Sequence, residues 1–237
     1  MVLQSCLNGA RSPGEHPMLP VTPDQLAQAA QSAVAAGAET IHIHPKDADG
    51  RDSLDPAHVA AAIEAVRAAA PGVPVGTTTG AWAVEGPEQR LALVRAWEVR
   101  PDFASVNWHE DGAEELAGHL IDQGMGVEAG LWTSTIAAEF AAHPLAPRCL
   151  RAMGEPMEGD TAALIQGAAI GVAVAGLGLP VLLHGMNDGA WPVLRMAASR
   201  LFDVRIGLED VLNLPDGSPA PDNAALVAAA REIVESR

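Results

Sequence analysis

The chain has 237 residues and a formal net charge of −16, because 30 acidic residues outnumber 14 lysines and arginines. This acidic balance argues against a nucleic-acid-binding protein, which requires a basic surface. With 49% hydrophobic and 19% charged residues, the chain is not intrinsically disordered and can bury a large core.

The N-terminal stretch MVLQSCLNGARS lacks the basic region and the long apolar region of a secretory signal peptide. Cys6 and Cys149 are too few for a disulfide framework, which favours a reducing, cytoplasmic location. The most apolar segment, residues 162–183, is rich in Ala and Gly and contains a proline. It therefore predicts a helix followed by a buried strand, and we expect no membrane span.

Short strand-like segments alternate with Ala-rich amphipathic segments along the whole chain. The predicted strands span residues 2–9, 40–45, 73–79, 102–108, 126–132, 149–155, 180–185 and 203–210. The predicted helices span residues 23–36, 56–70, 87–99, 112–123, 134–143, 160–175, 189–200 and 222–236. Helix starts carry capping chemistry: in TPDQ, Thr22 is the predicted N-cap, Pro23 the first helical residue and Gln25 the third.

Eight strand–helix units with short connections predict a parallel sheet, because parallel strands need crossover connections. Eight units in about 200–250 residues is the length of a (β/α)8 TIM barrel. An open doubly wound sheet is the alternative, but no G-x-G-x-x-G motif follows the first strand. We therefore predict an α/β fold in which residues 1–237 form a single (β/α)8 barrel domain.

Two histidines of the second predicted strand, TIHIHP, share one face, because residues i and i+2 of a strand point the same way. The isoleucines beside them then face the outer helices. His42 and His44 face the barrel, near the strand end where barrel enzymes build their active sites. The pair predicts half of a metal site, and the alternative is two core histidines with ordinary hydrogen-bond partners.

The last predicted strand, RIGLED, places Arg205, Glu209 and Asp210 near one strand end. Period-two spacing puts Arg205 and Glu209 on the same face, so Glu209 can point inward beside the two histidines. Two histidines and one carboxylate suit Zn2+ with an open coordination position, and would also fit non-haem Fe(II). Asp210 can reach the barrel mouth and pair with Arg205. The alternative is a surface acidic pair with a structural salt bridge.

Polar and aromatic residues follow the other predicted strands as well. Lys46 and Asp47, in the loop after the second strand, are either a loop salt bridge or substrate contacts. Three tryptophans follow strand ends and can form the walls of a pocket. The residues in question are Asn8, Arg11 and Glu15, Thr77, Thr78 and Thr79, Ser105 and Asn107, Glu128, His184, and Trp82, Trp108 and Trp132.

These motifs, read together, resemble the β-keto acid cleavage enzymes, the family of 3-keto-5-aminohexanoate cleavage enzyme. The resemblance runs in the same order over essentially the whole chain. Its most specific parts are HPMLPVTP before the first helix, the H-x-H followed by a charged loop, and RIGLED near the C-terminus; TTTG and SVNW agree with it.

The resemblance implies a zinc-dependent barrel that condenses a β-keto acid with acetyl-CoA, giving acetoacetate and a new acyl-CoA. His42, His44 and Glu209 then correspond to the zinc ligands. Asp210 corresponds to the general base, held by Arg205 and by a hydroxyl of the TTT run in the third strand, for which Thr78 is the favoured residue. Ser105 and Asn107 correspond to contacts of the substrate or of its developing oxyanion.

The remaining implied contacts concern substrate choice. Glu15 corresponds to an acidic residue of the first loop, and Glu128 to a position that contacts the variable end of the keto acid. The resemblance also leads us to expect a homo-oligomer, either a dimer or a tetramer. The chain is shorter than typical members, and it has a single carboxylate in VEAGLW where many members have an E-x-E pair.

Two alternatives stay open from the residues alone. A zinc-dependent barrel hydrolase or aldolase could use the same two histidines and glutamate without CoA. A barrel that binds a ligand or a partner without catalysis is the third possibility, against which the intact ligand and base positions argue.

Overall fold

Eight parallel strands close into a barrel in the computed structural model of the protein, which describes residues 1–236 and, at Asp160, the backbone alone. The strands pair in chain order, and the eighth pairs back onto the first. They are β1 (Leu3–Cys6), β2 (Thr40–Ile43), β3 (Val75–Thr78), β4 (Phe103–Asn107), β5 (Gly126–Leu131), β6 (Arg151–Gly154), β7 (Val181–Leu183) and β8 (Asp203–Ile206). The predicted (β/α)8 barrel is confirmed.

One α-helix follows each strand, as the alternating sequence pattern predicts. The helices are α1 (Pro23–Ala35), α2 (Pro56–Ala69), α3 (Pro87–Arg95), α4 (Ala113–Asp122), α5 (Ser134–Ala142), α6 (Asp160–Val174), α7 (Ala190–Ser199) and α8 (Asn223–Glu235). Short 3-10 turns lie at Ala81–Ala83, Ala146–Arg148, Ala175–Leu177 and Asn187–Gly189.

The first helix begins as its capping chemistry predicts. The hydroxyl of Thr22 accepts a hydrogen bond from the backbone N–H of Gln25, and the side chain of Gln25 accepts one from the backbone N–H of Thr22. Two backbone donors that a helix start leaves unpaired are thereby satisfied. Asp55, Thr133 and Asp222 cap α2, α5 and α8 in a similar way.

The apolar core lies between the outer face of the barrel and the helices. Ile41 and Ile43 belong to it and are fully buried, as the alternation in TIHIHP predicts. The most apolar segment forms α6 and then the buried strand β7. No helix among residues 1–236 is long and apolar enough to cross a membrane.

The interior of the barrel contains buried charged side chains beside apolar ones such as Phe103. Glu128 of β5 accepts a hydrogen bond from Gln4 of β1 at 2.9 Å and lies 3.3 Å from the guanidinium of Arg151. Arg151 in turn contacts Asp203 at 3.1 Å. Buried charges need partners of opposite sign, and these pairs supply them inside the barrel.

The end of β8 differs from the prediction. The strand predicted over 203–210 ends at Ile206, and the backbone N–H groups of Asp210 and Val211 both donate to the carbonyl of Gly207. Gly207 thus opens a turn, packed directly against the backbone of Cys6. Glu209 and Asp210 therefore reach the mouth of the barrel on this turn, and not by strand alternation.

We predict that Gly207→Ala destabilises the protein by about 1–3 kcal/mol, because the added methyl group would overlap the carbonyl oxygen of Cys6. The matched control is Gly118→Ala in α4, where the nearest foreign atom would lie 3.8 Å away. This control should stabilise the helix by about 0.5–1 kcal/mol. Urea unfolding of both variants tests the pair, and equal stabilities would contradict the tight packing at Gly207.

Candidate active site

His42 and His44 are held at the mouth of the barrel by the backbone of β2. Both are buried, with 1% and 3% of their surface exposed. Asn8, at the end of β1, accepts a hydrogen bond from the backbone N–H of His44 at 2.9 Å and donates one to its carbonyl at 2.8 Å. This pair of bonds fixes the chain where β2 ends, and so fixes the position of the second imidazole.

Glu209 completes a three-residue cluster with the histidines. Its carboxylate oxygens lie 4.0 Å from Nε2 of His42 and 3.6 Å from Nε2 of His44. One donor atom from each residue can be chosen so that all three lie within 4.8 Å of one another. Gly9 permits this approach, since a Cβ atom there would lie 2.4 Å from the Glu209 side chain.

The charges in the cluster differ between the two imidazoles. Burial lowers the pKa of His42 to about 3, which leaves this ring neutral with a free lone pair. Burial also opposes the charged form of His44, but the carboxylates of Glu209 and Asp52 outweigh it and raise the pKa of His44 to about 9. Against its own burial, Glu209 has a pKa well below its ordinary value because of Arg205 and the two imidazoles.

The cluster has the composition of a cation site. Among the described residues, Oε2 of Glu209 is buried without a hydrogen-bond partner, although it faces His42. Two imidazole nitrogens and a carboxylate oxygen fit Zn2+ with an open position, and they fit non-haem Fe(II) equally. A bound cation would supply the partner that this oxygen lacks.

Arg205 joins the three-residue cluster to Asp210. Its Nη2 atom lies 2.8 Å from Glu209 and 2.8 Å from Asp210, and its Nε donates to Asp210 at 3.2 Å. Asp210 is fully buried, and the ring of His184 lies 3.3 Å away on its other side. The second oxygen of Asp210 has no hydrogen-bond partner in the described part of the chain.

No hydrogen bond joins Thr78 to Asp210 in the described part of the chain, and the role of Thr78 beside this carboxylate stays a prediction. The hydroxyl of Thr78 instead accepts a hydrogen bond from the backbone N–H of Gly80 at 3.0 Å. His184, at the end of β7, is the residue that lies 3.3 Å from Asp210.

The other predicted site residues are spread over different depths. Glu15 lies at the rim, where it accepts hydrogen bonds from Arg11 at 3.0 Å and from the backbone of Ser12. Ser105 is partly buried, and Asn107 donates to Glu110 at 3.0 Å. Glu128 lies inside the barrel with none of its surface exposed. Their roles toward a substrate stay predictions.

A cavity of about 380 Å³ opens directly above the metal cluster. Its polar walls include Arg11, Glu15, His44, Glu155, Asn187 and Glu209, and its apolar walls Trp82, Trp132, Met157 and Met186. Trp82 and Trp132 thus form pocket walls as predicted, whereas Trp108 is buried against Phe140. A second cavity of about 600 Å³ adjoins it and shares Ala10, Arg11 and Trp82.

Four residues of the site were not assigned a role from the sequence. Asn8 and His184 were noted as polar residues at strand ends, which was the correct signal. Asp52 contacts His44 at 2.8 Å, and Glu155 lies 3.7 Å from His184 at the cavity wall. Asp52 directly follows a loop turn, and Glu155 directly follows a strand. These positions were the signal that could have identified them.

Comparison with known proteins places this arrangement in a family. A family model described as beta-keto acid cleavage enzyme matches residues 1–115 and 131–237. The 3-oxoadipate:acetyl-CoA acetyltransferase of Cupriavidus necator is 25% identical over 93% of this chain and 83% of its own length. The 3-keto-5-aminohexanoate cleavage enzyme of Acetoanaerobium sticklandii is 24% identical over 96% of this chain and 89% of its own length.

Solved structures share the fold at lower identity. The apo structure of ObcA superposes with a TM-score of 0.74 at 16% identity, covering 93% of this chain. This chain spans 62% of the ObcA chain. A 3-dehydroquinate dehydratase from Geobacillus kaustophilus gives a TM-score of 0.67 at 11% identity, over 99% of this chain and 90% of its own. At such identities the likeness concerns the fold alone.

We predict that Arg205→Met lowers the free energy of unfolding by about 3–5 kcal/mol at pH 7. Glu209 and Asp210 would then be buried without the guanidinium group that both of them contact. Urea unfolding of chelator-treated protein measures this loss. Arg231→Met is the control, since Arg231 forms an exposed pair with Glu235 on α8. The control should change stability by less than about 1 kcal/mol. An equally small loss in Arg205→Met would contradict the central role of the Arg205 guanidinium.

Proposed function

The chain belongs to the beta-keto acid cleavage enzyme family, and on that premise we propose that it condenses a β-keto acid with acetyl-CoA. The products are acetoacetate and the acyl-CoA of the remaining keto-acid fragment. The observation that carries the proposal is the position of His42, His44 and Glu209 beneath one cavity, with Arg205 holding Asp210 beside them. The name of the Cupriavidus necator relative, an acetyltransferase that uses acetyl-CoA, agrees with this reaction.

The cation at this cluster is proposed to be Zn2+, bound by His42, His44 and Glu209. When bound, it would act as a Lewis acid toward the keto oxygen and the carboxylate of the substrate. The orientation of the ligands supports this proposal: Arg205 contacts Oε1 of Glu209 and leaves Oε2 facing His42. The apolar cavity walls would exclude water from the bound keto acid.

Asp210 is proposed as the general base. It would take a proton from the carbon between the keto group and the carboxylate, and this carbon would attack the thioester carbonyl of acetyl-CoA. The new carbon–carbon bond forms as the carbon–sulfur bond breaks and the CoA thiolate leaves. The thiolate then attacks the original keto carbon, and acetoacetate departs as a carbanion that recovers the proton from Asp210.

Two adjoining cavities support a reaction with two substrates. The cavity above the metal cluster would hold the keto acid, with Trp82, Trp132 and the two methionines around its variable end. The neighbouring cavity, about 600 Å³ in volume, opens across Arg11 and Trp82 and would admit the acetyl thioester. Ser105 and Asn107, predicted to contact the substrate, lie on β4.

We predict that zinc-loaded protein converts members of a β-keto acid panel to acetoacetate when acetyl-CoA is present. The measurement is product analysis with and without acetyl-CoA, together with the metal content per chain. Turnover that ignores acetyl-CoA would overturn the proposal in favour of a zinc hydrolase or aldolase. Full activity of metal-free protein would overturn the metal's part in it.

Matched variants assign the parts of the reaction. His42→Ala should lose both zinc and turnover, because it removes a ligand. Asp210→Asn should keep zinc and lose turnover, because an amide cannot take the proton. His58→Ala is the control for histidine loss, since His58 lies on α2 and contacts Ser53 outside the site.

We further propose that the protein acts as a homo-oligomer, a dimer or a tetramer. Ile165 and Val172 on α6 are 68% and 73% exposed, and residues 161–183 contain no ionisable side chain. On a chain with a net charge of −16, this is a face where two copies can meet without like-charge repulsion.

We predict that the double variant Ile165→Glu, Val172→Glu has a lower molar mass in solution than the wild type, because four carboxylates would meet in a symmetric contact. Light scattering after gel filtration measures the mass. Met18→Glu is the control, since Met18 is exposed on the loop before α1. A double variant with the wild-type mass would exclude α6 from the interface.

A further inference from the structure

The loop after His44 folds into a small hairpin. Lys46 and Asp52 form an antiparallel bridge, and the carboxylate of Asp47 accepts hydrogen bonds from the backbone N–H groups of Asp49 and Arg51. Asp47 is thus a turn residue, and whether it contacts a substrate stays a prediction. The hairpin brings Asp52 back to the level of His44.

The carboxylate of Asp52 is buried at the back of the metal cluster. Only 4% of its side chain is exposed. Its Oδ2 atom lies 2.8 Å from Nδ1 of His44 and accepts a hydrogen bond from the indole N–H of Trp82 at 2.7 Å. Its Oδ1 atom accepts from the ammonium group of Lys46 at 2.5 Å. The two oxygens therefore have separate tasks, one toward the imidazole and one toward the hairpin.

We propose that Asp52 is a positioning residue that holds His44 with its proton on Nδ1, so that Nε2 is the metal-binding atom. This inference rests on the proposed metal site and adds to it a residue that contacts the ligand and not the cation. A carboxylate beside a ligating histidine fixes the ring orientation and makes the opposite nitrogen a stronger donor. Here Nε2 of His44 is the atom that lies 3.6 Å from Glu209, inside the cluster.

Lys46 holds the hairpin in place through further contacts besides its ion pair with Asp52. Its ammonium group also donates to the carbonyl of Gly9 at 2.6 Å and contacts that of Arg11 at 3.3 Å. These bonds attach the hairpin to the loop after β1, next to Glu209. Lys46 thereby neutralises the carboxylate of Asp52 at one oxygen and leaves the other directed at the imidazole.

Trp82 fixes the same imidazole from a second direction. Its ring stacks on His44 with centroids 6.0 Å apart and planes 18° apart, while its N–H group holds Oδ2 of Asp52. Trp82 also lines the cavity above the cluster. His44 is therefore held by a backbone clamp at Asn8, by a carboxylate at Nδ1 and by an aromatic face.

The test measures zinc affinity and the tautomer of His44, neither of which depends on turnover. Competition with a chelator gives the zinc dissociation constant of the wild type and of Asp52→Ala, Asp52→Asn and Trp82→Phe. Long-range 1H–15N NMR, assigned with His44→Gln, reports which ring nitrogen carries the proton in zinc-loaded protein. Asp49→Asn is the control within the hairpin, because Asp49 forms an exposed pair with Arg51.

We expect Asp52→Ala to bind zinc about 10–100-fold more weakly than the wild type. Asp52→Asn keeps a hydrogen-bond acceptor but no charge, and its zinc affinity should fall less. The same is expected of Trp82→Phe, which keeps an aromatic ring but not the N–H donor. Asp49→Asn should bind like the wild type, and the wild type should show the proton on Nδ1 of His44.

Equal zinc affinity in Asp52→Ala and the wild type, or a proton on Nε2 of His44, would overturn the inference. Should Asp52→Ala fail to fold, Asp52→Asn is the deciding variant, because it preserves the shape of the hairpin. If zinc affinity depends on Asp52 but no keto acid is cleaved, the proposed function fails and this inference stands. If a keto acid is cleaved but Asp52→Ala and the wild type bind zinc equally tightly, this inference fails and the proposed function stands.

Discussion

The mouth of the barrel depends on the ion pairs of Arg205. Glu209 and Asp210 are neighbours in sequence, and both are buried, so their charges would repel each other in a poorly solvated place. One guanidinium nitrogen lies 2.8 Å from each of them. The same contact divides their tasks. Glu209 keeps an oxygen toward the histidines, and Asp210 keeps one without a hydrogen-bond partner among the described residues, as the proposed ligand and the proposed base require.

Much of the fold could be predicted because its signals are local. The alternation in TIHIHP fixes which side of β2 is apolar, and the TPDQ capping box fixes the start of α1. Eight such units leave a closed parallel sheet as the natural arrangement. The exact ends of strands were less predictable. β8 ends at Ile206 because Gly207 fits against Cys6 and starts a turn. That contact joins the last strand of the barrel to the first.

The three residues of the cluster could be predicted from the sequence, but most of the contacts around them could not. His42, His44 and Glu209 do cluster, and Arg205 does contact Asp210. The hydroxyl of Thr78 bonds the backbone of Gly80, a choice that sequence does not reveal. Glu128 is neutralised by a neighbouring strand's Arg151, which depends on register around the barrel. Asp52 reaches His44 only because a hairpin folds back, so its sequence position alone did not assign it.

The seam between β1 and β8 sets an order of events for a newly made chain. His42 and His44 belong to the second strand, whereas Glu209 follows the last one, which reaches them only by pairing with the first. A growing chain that lacks β8 would have two imidazoles and no third donor, and it would hold a cation weakly. At the proposed metal site, tight binding would therefore require the closed ring, and metal uptake would report that β8 has paired with β1.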